Sequence, residues 1–272
     1  MSQLAAGALM AASRLSQLEA RALLSHVSGW RRETLVAFPE RELAPAAAAE
    51  FLALAARRRD GEPLAYLLGS KEFYGRDFKV DPAVLVPRPE TELLVELALA
   101  RLEGRSAPRV LDLGTGSGCI ATTLALERPD ATVVAVDVSP VALALARSNA
   151  EALGAEIDFR LGSWWQPLAS GERFDAIVSN PPYIARVDEH LPALRHEPRL
   201  ALTDEADGLA CLREIARACL DHLRPGAWLG VEHGWDQGPA VRDLLRAAGL
   251  LEVETTRDGA GLDRVSSGRA SA

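Results

Sequence analysis

From Arg109 onward, short apolar runs alternate with segments of helical period, and few folds accept that order. Val110-Leu111-Asp112-Leu113 and Thr132-Val133-Val134-Ala135-Val136 predict strands, with helices over Cys119 to Leu126 and Pro140 to Leu153. Further strands are expected near Phe159, Ile177, Leu229 and Val253, and helices around Leu212 and Leu244. Alternation of this kind implies an α/β fold, a doubly wound and mostly parallel sheet with right-handed crossovers. The tail after Gly268 is expected to fray.

The first 70 residues differ. Leu15, Leu18, Ala22, Leu23 and Val27 recur at helical spacing and predict one buried face. Pro45 opens a second Ala-rich helix through Arg59, with Phe51, Leu52 and Leu54 as its apolar members, and Asp60-Gly61 stops it. Arg57-Arg58-Arg59 is expected to be a solvated helix end that complements the dipole. Phe73 to Val80 alternates apolar and polar residues and predicts a hairpin. The organisation expected is a helical domain over 1–70, a hairpin linker over 71–90 and an α/β domain over 91–272.

The net charge of −8 argues against a chain whose main partner is nucleic acid. Three cysteines, Cys119, Cys211 and Cys219, are too few and too scattered for a disulfide framework or a zinc site, and Cys211 and Cys219, eight apart on a predicted helix, are expected to be small buried thiols. No stretch approaches a membrane span and the first residues lack a basic leader, so a reducing cytoplasm is expected.

Asp112-Leu113-Gly114-Thr115-Gly116-Ser117-Gly118 follows the first predicted strand and opens a helix. Glycines at every second position let backbone approach a ligand closely. Asp137 ends the next strand, where it can accept from both ribose hydroxyls. A dinucleotide is the obvious rival ligand, but the spacing is Gly-x-Gly-x-Gly rather than G-x-G-x-x-G. Asp112 is also ill suited to a pyrophosphate and well suited to a zwitterion carrying an ammonium group. S-adenosylmethionine is such a ligand. Trp164 and Trp165 follow the third strand, and Trp164 is favoured as the residue that packs on an adenine.

Asn180-Pro181-Pro182-Tyr183 ends the apolar run Phe174 to Ser179. It places an amide at the sheet's carboxyl edge, and two prolines stop strand pairing there. Asn180 supplies a side-chain carbonyl and Tyr183 a flat wall, a site for a planar nitrogen whose N–H groups need acceptors.

Together, Asp112 to Gly118 and Asn180 to Tyr183 resemble the class I methyltransferases that act on amide or exocyclic amine nitrogens. Pro87-Arg88-Pro89-Glu90-Thr91-Glu92, after a helical domain and a hairpin, narrows the resemblance. It is similar to the peptide chain release factor glutamine-N5 methyltransferases (the HemK/PrmC family). Gly61-Glu62-Pro63-Leu64-Ala65-Tyr66, His196-Glu197-Pro198-Arg199-Leu200-Ala201-Leu202 and Glu232-His233-Gly234 support the match, which spans nearly the whole chain. Ser163 stands where the family commonly has an acidic residue.

The resemblance implies a Rossmann-like sheet of seven strands, with S-adenosyl-L-methionine as methyl donor. The acceptor it implies is the glutamine of the Gly-Gly-Gln loop in class 1 release factors, a step in translation termination. The expected cofactor-binding residues are Asp112, Gly114, Thr115, Gly116, Ser117, Gly118, Asp137, Trp164 and Asn180. Asn180 and Pro181 are expected to accept the two amide hydrogens, with Pro182 and Tyr183 completing the substrate site. The N-terminal helices are expected to recognise the release factor body, the enzyme to be a monomer, and no nucleic acid to bind directly. Arg88 is expected either to pair with Glu90 or Glu92 or to line the substrate cleft, and His190 and His196 to have surface or structural roles. The rivals are a ribosomal-protein glutamine methyltransferase, a nucleic-acid base methyltransferase and a non-catalytic module of the same fold.

Overall fold

The computed structural model describes residues 4–272. The chain divides into two compact units after Ser70.

The first unit is helical: α1 (Ala6–Ser13), α2 (Gln17–Ser28), α3 (Arg32–Ala37), α4 (Pro45–Arg59) and α5 (Leu64–Leu68). Helix α2 begins where Ser16 and Glu19 form a reciprocal capping box, and Gly29 closes it. Its buried face is Ala20, Leu23 and Leu24, packed with Leu9, Leu35 and Phe51. Leu18 is 70% exposed, contrary to the periodicity reading, and Leu52 of α4 also faces solvent. The arginine run is not a free, solvated end. Arg57 pairs with Glu62, Arg58 with Glu19, and Arg59 donates to the Ser13 carbonyl at 2.7 Å. These bonds tie the end of α4 to its neighbours.

The second unit opens with a hairpin, β1 (Ser70–Phe73) and β2 (Arg76–Lys79), turning at Tyr74-Gly75. Phe73 and Phe78 meet edge to face with centroids 6.1 Å apart. Both lie in the core beneath α6 (Glu92–Arg101), which counts the hairpin from Lys71 onward with the second unit.

The sheet comprises β3 (Arg109–Leu113), β4 (Thr132–Asp137), β5 (Asp158–Leu161), β6 (Phe174–Ser179), β7 (Leu223–Glu232), β8 (Leu251–Arg257) and β9 (Asp263–Arg269). Their order is β5-β4-β3-β6-β7-β9-β8, seven strands with only β9 antiparallel to its neighbours. Period-two alternation divides each strand between two cores. Val110, Val133 and Ala135 pack under α6, α7 (Cys119–Glu127) and α8 (Pro140–Leu153). Leu111, Leu113, Val134 and Val136 face the opposite core. The short α9 (Arg199–Leu202) precedes α10 (Ala210–His222) and α11 (Gly238–Ala247), whose Ile215 and Leu245 fill that opposite core. Residues buried on both faces of a parallel sheet explain the nearly continuous apolar runs.

Strand β9 gives no such run. Its Ser266, Ser267 and Gly268 are polar or small, yet the strand is buried between β7 and β8. The polar side chains are tolerated because Ser266 bonds His233 at 2.8 Å and Thr255 at 2.7 Å. The tail does not fray after Gly268. Ala270 donates to the Ala227 carbonyl at 2.9 Å, and Gly226 donates to that of Ser271 at 3.0 Å.

Chain direction around the sheet reverses between β3 and β6. The carboxyl ends of β3, β4 and β6 therefore open on one crevice, the place where open α/β sheets hold ligands.

Candidate active site

The turn after β3 hangs on its neighbour, because Gly114 and Thr115 both donate to the Val136 carbonyl, at 2.8 and 3.0 Å. Gly114 has φ of 75°, and a Cβ there would sit 3.5 Å from the Trp164 ring. Gly118 has φ of 80°, and its Cβ would meet that of Ala146 at 3.0 Å. Gly118 thus serves the close approach of α7 to α8, and it does not line the cavity.

The cavity holds about 610 Å³, ample for a nucleoside-sized ligand. Gly114, Thr115, Gly116, Ser117, Asp137 and Trp164 form one part of its wall. Arg88, Thr91, Asn180 and Pro182 contribute another, together with Leu200 and Cys211. The tertiary structure therefore brings together the glycine turn, Asp137, Trp164 and Asn180. Four expected contacts depart from that wall. Asp112, Gly118, Pro181 and Tyr183 are not on it, and the first three are buried.

Asp137 is anchored by two backbone donors, Gly116 to Oδ2 and Ser139 to Oδ1, each at 2.8 Å. Each carboxylate oxygen keeps acceptor capacity for a further donor. Burial raises its pKa against the pull of the Ser139 and Gly116 amides. Asp112 lies beneath the turn and is fully buried. Its Oδ2 accepts from Thr115 Oγ1 at 2.6 Å, while Oδ1 has no partner. Burial pushes this carboxyl up to about 7, with the charge of Asp137 adding to the rise. Among the described residues neither carboxylate has an ion-pair partner. Two under-compensated acids beside one cavity favour a cationic ligand, and a sulfonium zwitterion has that charge.

The two tryptophans separate cleanly. Trp164 faces the cavity with φ of 44°, a left-handed conformation costly for a large residue. Trp165 stacks on His222 at 5.0 Å and 2° and donates to the Glu214 carbonyl at 3.2 Å. Cys211, expected as a small buried thiol, and Cys119 both reach the cavity wall. Burial pushes them up to about 11 and about 12, so both stay protonated thiols.

Asn180 follows β6 and donates from Nδ2 to Thr91 Oγ1 at 3.2 Å. That bond turns the amide nitrogen aside and leaves Oδ1 as the free acceptor. Tyr183 instead packs in the core beside α10, and its hydroxyl donates to Glu232 Oε1 at 3.2 Å. Burial and the Glu232 charge raise the phenol pKa. Arg88 pairs with Glu197 at 2.5 Å, rather than with Glu90 or Glu92, and also lines the cavity. Thr91, Glu197 and Glu232 are the site residues that sequence reasoning left without roles. All three sit inside motifs it had singled out, but only tertiary contact assigns their partners.

Residues 89–196 match the methyltransferase small domain, and residues 2–69 match the PrmC N-terminal domain. A release factor glutamine methyltransferase of Bordetella pertussis is 54% identical over 262 residues, spanning 96% of this chain and 97% of that protein. The chain belongs to the release factor glutamine methyltransferase family. Its relative of the same name in Burkholderia pseudomallei is 51% identical over 272 residues, with 97% and 95% covered. A crystal structure of a methyltransferase from Pyrococcus furiosus superposes with a TM-score of 0.57 at 19% identity, over 80% of this chain and 98% of that one. That likeness supports the fold. The cavity joins the glycine turn to the Asn180 amide. Among the described residues no helix is long and apolar enough to cross a membrane, and no cluster of side chains suits a metal ion.

Proposed function

We infer that this protein transfers a methyl group from S-adenosyl-L-methionine to the side-chain amide nitrogen of the Gly-Gly-Gln glutamine in class 1 release factors. The donor supplies an electrophilic methyl on a sulfonium. The chain's own residues supply binding, orientation and acceptors. The observation that carries the chemistry is Asn180 on the same cavity wall as Asp137, with Oδ1 freed by the bond to Thr91. The full-length identity with release factor enzymes carries the choice of substrate.

A glutamine amide is a poor nucleophile because its lone pair is delocalised into the carbonyl. Asn180 Oδ1 and the Pro181 carbonyl accept its two hydrogens, holding the nitrogen in line and strengthening as positive charge grows there. The methylated nitrogen is far more acidic and releases its proton afterwards, so no base is required before transfer. Asp137 holds the ribose, Trp164 packs on the adenine, and Asp112 acts on the ammonium group through the turn rather than by direct contact.

The helical unit is the part we assign to recognising the release factor body. Leu18, Val36 and Phe38 support that assignment, since each exposes more than half its surface there. Replacing all three by Ser is expected to raise KM for the factor while leaving donor affinity unchanged. The acidic chain acts as a cytoplasmic monomer without a direct nucleic-acid partner in this reading.

The test is methyl transfer from labelled donor to a purified class 1 release factor, with ribosomal protein and RNA as parallel acceptors. Label is expected in the Gly-Gly-Gln peptide of the release factor. Asn180→Ala is expected to lower kcat by about 10²-fold or more with donor affinity retained. Label in RNA alone, or near-normal turnover by Asn180→Ala, overturns the reading.

A further inference from the structure

Gln237, the residue before α11, carries one side-chain amide that meets three backbone segments. Its Oε1 accepts from the Gly234 amide at 2.8 Å, just past β7. Its Nε2 donates to the Tyr183 carbonyl at 3.0 Å and to the Gly208 carbonyl at 3.1 Å. A backbone amide only donates and a carbonyl only accepts, so these partners fix which end of the side chain is which. A carboxylate of the same shape would lack both donors. The approach is close: Gly208 has φ of 82°, and a Cβ there would stand 2.5 Å from the Tyr183 oxygen and 2.9 Å from Gln237 Nε2. The two held segments run alongside each other, with Ile184 donating to the Leu202 carbonyl and Arg186 to that of Ala206, each at 3.0 Å. One of them brings Asn180 and Pro182 onto the cavity wall, and the other brings Thr203, Asp204 and Glu205.

We propose that Gln237 is a positioning residue for methyl transfer, whose side-chain amide clamps the end of the Asn-Pro-Pro-Tyr segment to the turn at Gly208 and so holds the Asn180 acceptor in place. Gln237 does not line the cavity, so it acts through the backbone it holds. Pro181 and Pro182 fix φ between Asn180 and Tyr183, and a displaced Tyr183 carbonyl is therefore passed back to Asn180 rather than absorbed on the way. A small misplacement there costs turnover, because the acceptor must meet a nitrogen already in line with the methyl group. Asp137 and Trp164 lie on segments that the Gln237 amide does not touch, which leaves the donor side of the cavity independent of the clamp.

This role rests on the methyl-transfer reading, but one of its tests does not need turnover. The chain has three tyrosines, so tyrosine labelled with ¹³C at the carbonyl gives few NMR signals, and Tyr183→Phe identifies the one that matters. Loss of its donor is expected to shift that signal upfield in Gln237→Leu, and in Gln237→Glu at pH 8. In turnover at pH 8 both variants are expected to lose about tenfold or more in kcat, with donor affinity within about twofold of the parent. Protonating the carboxyl introduced by Gln237→Glu removes a charge facing two carbonyls and returns one donor. Its kcat deficit against the parent is therefore expected to shrink about threefold or more between pH 8 and pH 5.5, while the Gln237→Leu deficit stays constant. An unmoved Tyr183 signal in both variants at pH 8 overturns the clamp, whether or not the release factor is methylated. So does parent-like kcat in both, or a Gln237→Glu deficit that does not change with pH. Donor affinity lost in both variants overturns it as well, because the amide would then hold the whole α/β unit rather than the acceptor wall. A parent protein that leaves the release factor unmodified instead overturns the functional reading, and the carbonyl signal still decides the clamp.

Discussion

Arg88 and Glu197 meet at 2.5 Å although 109 residues separate them in sequence. Glu197 is nearly buried, with 3% of its side chain exposed, and its other oxygen accepts from the Val86 amide at 3.1 Å. One carboxylate thus pins the strand-like lead into the Pro-Arg-Pro-Glu-Thr-Glu element against the segment before α9. Both halves of that clasp belong to motifs that looked unrelated along the chain.

Removing Arg88 leaves a buried carboxylate without its cation. Arg88→Ala is expected to destabilise the protein by about 1–3 kcal/mol, kept below the fully buried range because Arg88 is partly exposed. A double-mutant cycle with Glu197→Gln, read by urea denaturation, is expected to show coupling above about 0.5 kcal/mol. Additive losses would break the assignment of the clasp.

Asp137 is already bound by two backbone amides, so its deletion should disturb both the turn and the ligand. Asp137→Ala is expected to weaken S-adenosylmethionine binding by roughly 1–3 kcal/mol, with kcat at saturating donor much less affected. Calorimetric affinity equal to the parent's would remove it from the ribose site.

Trp164 and Trp165 should divide affinity from stability. Trp164→Ala is expected to weaken donor binding by tenfold or more, since it removes the ring beside Gly114. Trp165→Ala is expected to lower the unfolding midpoint, through loss of the His222 stack and the Glu214 bond, with donor affinity nearly unchanged. The reverse pattern would exchange their roles.

Asp112 makes a pH prediction with a definite sign. Its folded-state pKa, pushed up to about 7, exceeds the ordinary aspartate value of 3.8. Between those values the folded protein binds more protons than the unfolded chain, so the ligand-free protein loses stability as pH rises through that window. Asp112→Asn carries no such charge. It is expected to be more stable than the parent at pH 8, with the difference shrinking toward pH 4, and to bind the cationic donor less tightly. Urea midpoints at pH 5 and pH 8 test this, and a difference independent of pH refutes it.

Strand and helix order was legible because period-two and helical patterns are local, and each strand of the parallel core is apolar on both faces. Helix α8 and helix α4 even begin and end where their prolines and stop signals place them. Strand β9 was not legible, since its serines are satisfied by His233 and Thr255, partners that no local pattern announces. The same limit explains Leu18, whose helical spacing fits a buried face that the neighbouring helices do not cover.

By itself, the sequence determined the α/β class, the family, the glycine turn and the acceptor tetrapeptide, because these depend on residue type at short spacing. Only the tertiary structure decided which acid stands on the cavity wall and which tryptophan faces it. It alone showed that Asn180 meets Thr91 and that Tyr183 meets Glu232. Hydrogen-bond polarity and burial depend on what meets across the sheet, and residues drawn from distant segments carry no mark of one another until the chain is folded.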